Sequence, residues 1–398
     1  MQMSYYAVLG TPGFIRRPDR FGAEALLAAL GANSGNLMFQ LAVARMIAAP
    51  LTFLSASDTP YEAVDKRDGA KALIVPAANH LRCGADWSGL CDYLEGSEVP
   101  LIVFGLGAQA TGPGGEAETI QALQSDAKIR RLVDVLRDKA ALVTVRGPFS
   151  QTCCEALGLG GTVLLGCPSA FLNRDPALGQ KLEKAIARGL SASPRIAINA
   201  AAPFEVSSNP AKREVERLLF RWMQDMKGLY IQQSGGISVM KAALGGWHEV
   251  TPQAILSLAT ILSPDQPLPE FLACLAKRDR FYLSAPEWIT ALRDQDFVIG
   301  TRLHGAMAGL AAGIPGIIIT HDSRTSELAE TMHLPRLPMA DLSGAPSLAQ
   351  ALSRVVFEGS AFDDWRAGAA DQLASACARI GLPLCPEILG LCPQKAAA

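Results

Sequence analysis

The chain has 398 residues, 49% hydrophobic and 19% charged, with a formal net charge of −2 at pH 7. That is enough chain for two domains with sizeable cores, and the near-neutral balance excludes a general attraction to nucleic acid or anionic lipid. Nine cysteines, an odd count with no repeated spacing, read as reduced thiols rather than a disulfide frame. No CxxC or HExxH occurs, and the five histidines are far apart in sequence, so no dedicated metal site is expected. The opening MQMSYYAVLGTPGF lacks a basic start and a long apolar core and is not read as a secretory signal. No run reaches the ~18 uninterrupted apolar residues of a membrane span. The closing LCPQKAAA reads as a frayed tail.

Short apolar runs alternate with longer helical patterns, the signature of an α/β fold with parallel sheets. Asn33–Ser34–Gly35–Asn36 precedes a helix expected at 36–48 and reads equally as an N-capped turn or as a polar loop touching a ligand. A strand at 72–75 leads to Asn79 and His80. The strand at 100–104 runs into Gly105–Leu106–Gly107–Ala108–Gln109, where glycine permits close approach and Gln109 offers a donor and an acceptor. The third glycine of a dinucleotide fingerprint is absent. After a helix at 127–139, a strand at 142–145 ends in Arg146, and Pro148 suits the first position of a helix at 148–157. On that helix Cys153 and Cys154 read as packing. The strand at 162–165 exits into Cys167–Pro168–Ser169, where Ser169 offers a donor to an anion and Cys167 reads as a small buried residue.

The segment NRDPALGQ, a charged helix and SASP then mark a boundary near 175–194. Beyond it come strands expected at 195–199, 229–232, 297–300 and 315–320. Helices are expected at 211–226, 285–293, 303–312, 323–332, 347–357 and 363–380. Each half thus holds about four strands. The expected architecture is two Rossmann-like domains facing a cleft: residues 1–185, then 186–345, with helices and tail at 346–398 crossing back to brace the first.

In doubly wound folds ligands sit beyond the carboxyl ends of the strands. The fullest such exit is GTRLHGAMAGLAAGIPGIIIT, from Gly300 to Thr320. Arg302 and His304 stand where its strand turns into a helix of Ala, Gly, Leu and Met. The helix end adds free N–H groups and partial positive charge, so the three together suit an anion. A guanidinium grips a carboxylate or phosphate with two hydrogen bonds, and a histidine can move a proton near neutral pH. The plainer reading makes Arg302 a structural ion pair and His304 a cap. Arg146 repeats the pattern in the first half. In Thr320–His321–Asp322–Ser323–Arg324–Thr325–Ser326–Glu327, capping explains Asp322 or Ser323 but not His321 or Arg324, so His321, Arg324 and Glu327 are expected to line the cleft.

Taken in order, GLGAQ, VRG, GCPS, and GTRLHGAMAGLAAGIPGIIIT followed by HDSRTSEL resemble the polysaccharide pyruvyl transferase family over roughly residues 30–330. The resemblance implies a GT-B-like fold, phosphoenolpyruvate as donor and a sugar hydroxyl pair as acceptor. The product would be a pyruvate ketal on a cell-surface polysaccharide or its precursor, with release of phosphate. Arg302 and His304 match the family's R-x-H, and Arg146 aligns with its first-domain arginine. These three are the expected catalytic residues, with the arginines on opposite cleft walls. The donor site is assigned to the second domain, and the residues expected around the donor are Gly107, Gln109 and Ser169 from the first domain and Gly305, His321, Arg324 and Glu327 from the second. The acceptor is assigned to the first domain at Asn36, Asn79 and His80. There the chain departs from the family: Asn36 stands where many members have Asp, and PAANHL replaces a glycine-rich turn. No cofactor, metal, nucleic acid or integral membrane segment is expected. The acceptor is a sugar or lipid-linked glycan, and the location is the cytoplasm or the inner membrane face. The rival readings are a GT-B-type glycosyltransferase with a nucleotide-sugar donor, Glu327 gripping the ribose, and a non-catalytic binding module on the same fold.

Overall fold

The structure is a computed structural model, and it describes residues 5–54, 67, 69–110, 115–189 and 194–393. Among them are two six-stranded sheets. The first holds β1 (Tyr6–Leu9), β2 (Leu51–Leu54), β3 (Leu73–Pro76), β4 (Leu101–Leu106), β5 (Ala140–Val145) and β6 (Val163–Leu164). The second holds β7 (Ile196–Asn199), β8 (Leu229–Gln232), β9 (Asp279–Phe281), β10 (Phe297–Gly300), β11 (Gly316–Thr320) and β12 (Arg336–Pro338). Spatial order is β2-β1-β3-β4-β5-β6 in one and β12-β11-β10-β7-β8-β9 in the other. Every neighbouring pair is parallel. The chain is therefore α/β, two Rossmann-like units in one molecule. Their strand order reverses between β1 and β3 and between β7 and β10, the two crevices where such sheets bind ligands.

The expectation of about four strands per half is corrected to six. The missed strands have little pattern to read. β9 (DRF) and β12 (RLP) are three residues long and carry charge. β2 is a half-exposed edge strand. β1 (YAVL) is buried and central, but it lies so near the chain start that little pattern precedes it. The helix expected at 347–357 is only Leu348–Leu352; the chain then extends, and Val356 exchanges main-chain hydrogen bonds with Arg336 beside β12. The last long helix runs Gly359–Arg379, beginning earlier than expected.

That last helix crosses back, as expected. Its Ala369, Ala370, Leu373, Ala376 and Cys377 join Val8, Ile74, Ile102, Phe104 and Leu142 of the first sheet in one buried cluster. Main-chain bonds from Ala48 to Pro383 (2.9 Å) and from Cys385 to Met46 (2.8 Å) secure the turn beyond it. Burying a side chain such as Leu373 or Phe104 stabilises the fold by about 1.5–3 kcal/mol.

The two units also share a core. Leu37, Met38 and Leu41 of helix Asn36–Met46 pack with Leu303 and Met307 of helix Leu303–Ala312 and with Trp288. The second of these helices reads LHGAMAGLAA, small enough to be buried on most sides. Beside it the chain passes from one unit's loop to the other's: Ile15 N donates to Leu283 O and Ala285 N to Gly13 O, both at 2.9 Å. Gly13 is required there, because its φ is +91° and a Cβ would lie 2.4 Å from the Cβ of Leu41. The seam between the units is thus apolar at one end, and its polar end is the candidate site.

Candidate functional site

β10 ends at Gly300, and Thr301 and Arg302 form the turn into helix Leu303–Ala312. Arg302 is the helix N-cap residue in an extended conformation, with no side-chain cap bond. Its guanidinium, which only donates, reaches the helix that carries Glu205 instead. Nη2 lies 2.8 Å from Oε1 of Glu205. The contact is ionic but poorly aligned, since neither Nη2 nor Nε has a well-directed hydrogen-bond partner among the described residues. The plainer reading of Arg302 as an ion-pair residue is thus partly met, with donor capacity left over.

His304, one residue into the helix, is 8% exposed, and its Nε2 has no partner among the described residues. Its ring stands 5.5 Å from Phe39. The loop before helix Asn36–Met46 presses on its other side, where a Cβ on Gly35 would lie 2.8 Å from Nδ1. Burial, then the charges of Arg146, Arg324 and Arg302, push its pKa well below the ordinary histidine value. The ring is therefore neutral at neutral pH. Three arginines from three strand exits act on one imidazole.

Arg146 reaches this place from β5. It is 5% exposed and lies over Phe39, 5.2 Å from the ring centre. Its Nε donates to Gly105 O (2.8 Å) and its Nη2 to Ala77 O (3.0 Å). Burial and then Arg324 lower its proton affinity. Gly107 lies close beside it, where a Cβ would stand 3.2 Å from Cδ of Arg146. Arg324, in the first turn of helix Ser323–Thr331, is a quarter exposed. Its Nε has no partner, and Asp322 stands 4.0 Å from Nη2.

The remaining expected residues fall in three groups. His321 follows β11 with Nδ1 3.2 Å from Ile319 O and Nε2 3.5 Å from Asp322; burial lowers its pKa. Ser169 is buried and its Oγ sits 2.9 Å from the Cys167 thiol. Gly305 faces Asn199 so closely that a Cβ would overlap its side chain, so its place is set by packing. Glu327 is taken up elsewhere: its carboxylate crosses the seam and accepts from Phe149 N at 2.6 Å, capping helix Pro148–Ala156. A Cβ on Gly147 would lie 2.2 Å from that oxygen.

The first-sheet exits are knitted to one another. Asn79 Nδ2 donates to Gln109 Oε1 (2.5 Å), and Gly107 N to Ala78 O (2.8 Å). His80 Nδ1 accepts from Ala78 N (2.9 Å) and its ring stacks on Trp87 at 4.4 Å; burial, with Arg146 and Arg82, brings its pKa down to about 4. Asn36 Nδ2 is tied to Leu30 O at 2.9 Å within its own loop.

Sequence reasoning passed over several groups that line the second crevice. Asn199 ends β7 beside the strand-order reversal; its Nδ2 donates to Arg302 O (3.1 Å) while Oδ1 is unpartnered. Gln233 follows β8, accepts Ser34 N on its carbonyl (2.8 Å), and has an unpartnered side-chain oxygen. Both are polar residues at strand exits, the signal that led to Arg302. Among the described residues no three His, Cys, Asp or Glu come together to hold a metal ion, and no helix is long and apolar enough to cross a membrane.

Two Rossmann-like units meet at a cluster of arginines around a neutral imidazole, beyond the carboxyl ends of their strands. The chain belongs to the polysaccharide pyruvyl transferase family, whose model matches residues 81–323, more than half of it. Among solved structures it is similar to UDP-GlcNAc 2-epimerase from Methanocaldococcus jannaschii, at 11% identity over 91% of this chain and 98% of that one, with a TM-score of 0.42. It is also similar to Anabaena Alr3699/HepE in complex with UDP (12%, 98% and 97%, 0.38). A third is an α,α-trehalose-phosphate synthase from Burkholderia vietnamiensis (10%, 96% and 97%, 0.39). At these scores the likenesses add nothing to what the two sheets already display. No curated protein matches the chain.

Proposed function

We propose that the protein transfers a pyruvyl group from phosphoenolpyruvate to a pair of sugar hydroxyls, forming a ketal on a polysaccharide or its precursor. The observation that carries this reading is the arrangement at His304: a neutral ring, Nε2 unpartnered, under the influence of Arg302, Arg146 and Arg324. Phosphoenolpyruvate carries a carboxylate and a phosphate close together. Arg302 and Arg324 have donor capacity to spare for them, while Arg146 contributes its charge from a fixed position. Bound anion offsets the arginine charges, which raises the proton affinity of His304 at the moment substrate arrives. His304 then accepts a proton from the attacking hydroxyl.

The chemistry balances as follows. His304 passes the proton it takes from the first hydroxyl on to the methylene carbon, and that hydroxyl's oxygen bonds to the adjacent carbon. The bond from that carbon to the phosphate oxygen breaks, and phosphate leaves with its electron pair. The second hydroxyl closes the ring and gives up its proton. A positioned base typically contributes about 100- to 10,000-fold.

Phosphate release from phosphoenolpyruvate in the presence of sugar acceptors tests the reading, with product mass gain as the second readout. Turnover is expected to fall at least ~100-fold in His304→Ala and in Arg302→Lys, which keeps charge but loses the fork. Near wild-type turnover in both rejects the assignment. Thermal stabilisation by nucleotide-sugars but not by phosphoenolpyruvate rejects the donor.

A further inference from the structure

Helix Pro210–Asp225 lays Val215, Leu218, Leu219 and Trp222 on the second sheet. Glu216 shares that buried face and is only 1% exposed. A carboxylate among apolar side chains is costly unless it has a task. Oε1 accepts from Ala201 N (3.1 Å) and from the Tyr230 hydroxyl (2.9 Å), while Oε2 has no partner among the described residues. Ala201 follows β7 at the strand-order reversal. The turn it belongs to starts helix Pro203–Ser207, which carries Glu205, and Glu205 is the residue held against Arg302.

We infer that Glu216 is a positioning residue for Arg302, acting through the Ala201 turn and Glu205, and that its charge sets how readily Arg302 accepts an anion. This rests on reading Arg302 as an anion-binding group. The charged and titratable groups facing Glu216 are Glu205 from the next helix, Arg302 from the β10 exit and Tyr230 from β8, with Asp279 of β9 behind Tyr230. Lys212 lies one turn earlier on its own helix. Burial, chiefly, lifts the Glu216 pKa to about 7. Below that pH the carboxyl is neutral and Arg302 answers only to Glu205. Above it, a second negative charge holds Arg302 more firmly and repels an incoming anion. In the free protein burial, chiefly, lowers the pKa values of His304, His321 and His80, so the comparison of the wild type with Glu216→Gln is what isolates the charge of Glu216.

Sulfate is the suitable probe, because it remains doubly charged from pH 6 to pH 8. Calorimetric titration of the full chain is expected to show the sulfate Kd rising about 3- to 10-fold across that range, the size of one extra charge at short range. Glu216→Gln keeps an acceptor for Ala201 and removes the titration, so its Kd stays flat. Tyr230→Phe removes a donor to the carboxylate and moves the rise to higher pH. In Arg302→Gln sulfate affinity drops and the pH dependence goes with it. An unaltered rise in Glu216→Gln, a flat Kd in the wild type, or full affinity in Arg302→Gln overturns the inference. In turnover assays KM for phosphoenolpyruvate, rather than kcat, carries the same difference. If sulfate behaves as described but phosphoenolpyruvate is not consumed, the positioning role stands and the pyruvyl-transfer reading falls.

Discussion

The exits of the two sheets are built to opposite rules. In the first sheet most of the polar groups spend their hydrogen bonds within the exits themselves: Arg146 on two carbonyls, Asn79 Nδ2 on Gln109, His80 on Ala78, with Asn79 Oδ1 left without a partner among the described residues. In the second, Arg302, His304, Asn199 and Gln233 each keep at least one buried polar atom without a partner. A satisfied cluster holds shape, while an unpaired buried polar group costs about 1–3 kcal/mol until something fills it. The difference teaches that two arginines aimed at one imidazole serve unlike purposes. Arg146 is part of the frame that shapes the crevice, and Arg302 is the group with capacity to bind.

Removing each arginine is the strongest way to break this contrast. Arg146→Ala leaves Gly105 and Ala77 carbonyls unpaired in the interior, an expected loss of about 2–5 kcal/mol in chemical denaturation. Arg302→Ala breaks one partly exposed ion pair, an expected loss under about 1 kcal/mol, while anion binding disappears. Equal stability losses in the two variants would erase the distinction.

Next in size is the cap across the seam. Glu327→Ala strips Phe149 N of its acceptor and should cost about 1–2 kcal/mol. Gly147→Ala should displace the same carboxylate by steric overlap, and combining the two changes should cost less than their sum. Strict additivity would show that the two positions do not share one contact.

The pH dependence of stability sharpens the comparison further, because two buried groups near Arg302 have opposite signs. His304 is neutral when folded and takes up a proton below about 6.5 when unfolded, so its contribution is lost as pH falls through that value. Glu216 keeps its proton to about 7 when folded but only to 4.5 when unfolded, so stability falls as pH rises between them. Denaturation of His304→Gln should show less gain on going from pH 5.5 to pH 7.5 than the wild type, and Glu216→Gln should show more (endpoints about one unit either side of an ordinary histidine pKa of ~6.5). The smallest effect is expected for Asn36→Ala, about 0.5–1 kcal/mol with turnover unchanged, since its amide is occupied within its own loop. A raised acceptor KM there would return Asn36 to the binding surface.

Much of this plan can be read from the chain. Alternating apolar runs and helices announce two α/β units, and attention to strand exits leads to Arg302, His304, Arg146 and Arg324, which the fold brings to one place. What stays hidden depends on long-range partners. Nothing around Glu327 says that its carboxylate will cap a helix nearly two hundred residues earlier. Nothing in PAANHL says that Asn79 will be claimed by Gln109. Strands of three residues such as DRF and RLP are too short for periodicity and are defined by their neighbours in the sheet. Glu216 was within reach, as a charge beside the stripe of Val215, Leu218, Leu219 and Trp222.

The return of helix Gly359–Arg379 to the first sheet bears on how the molecule is made. One face of the first unit is covered only once helix Gly359–Arg379, which follows every strand of the second unit, has been made. Until then Val8, Ile74, Ile102 and Phe104 lack the cover that the finished fold gives them, and uncovered apolar surface of this kind makes a partly made chain prone to aggregate.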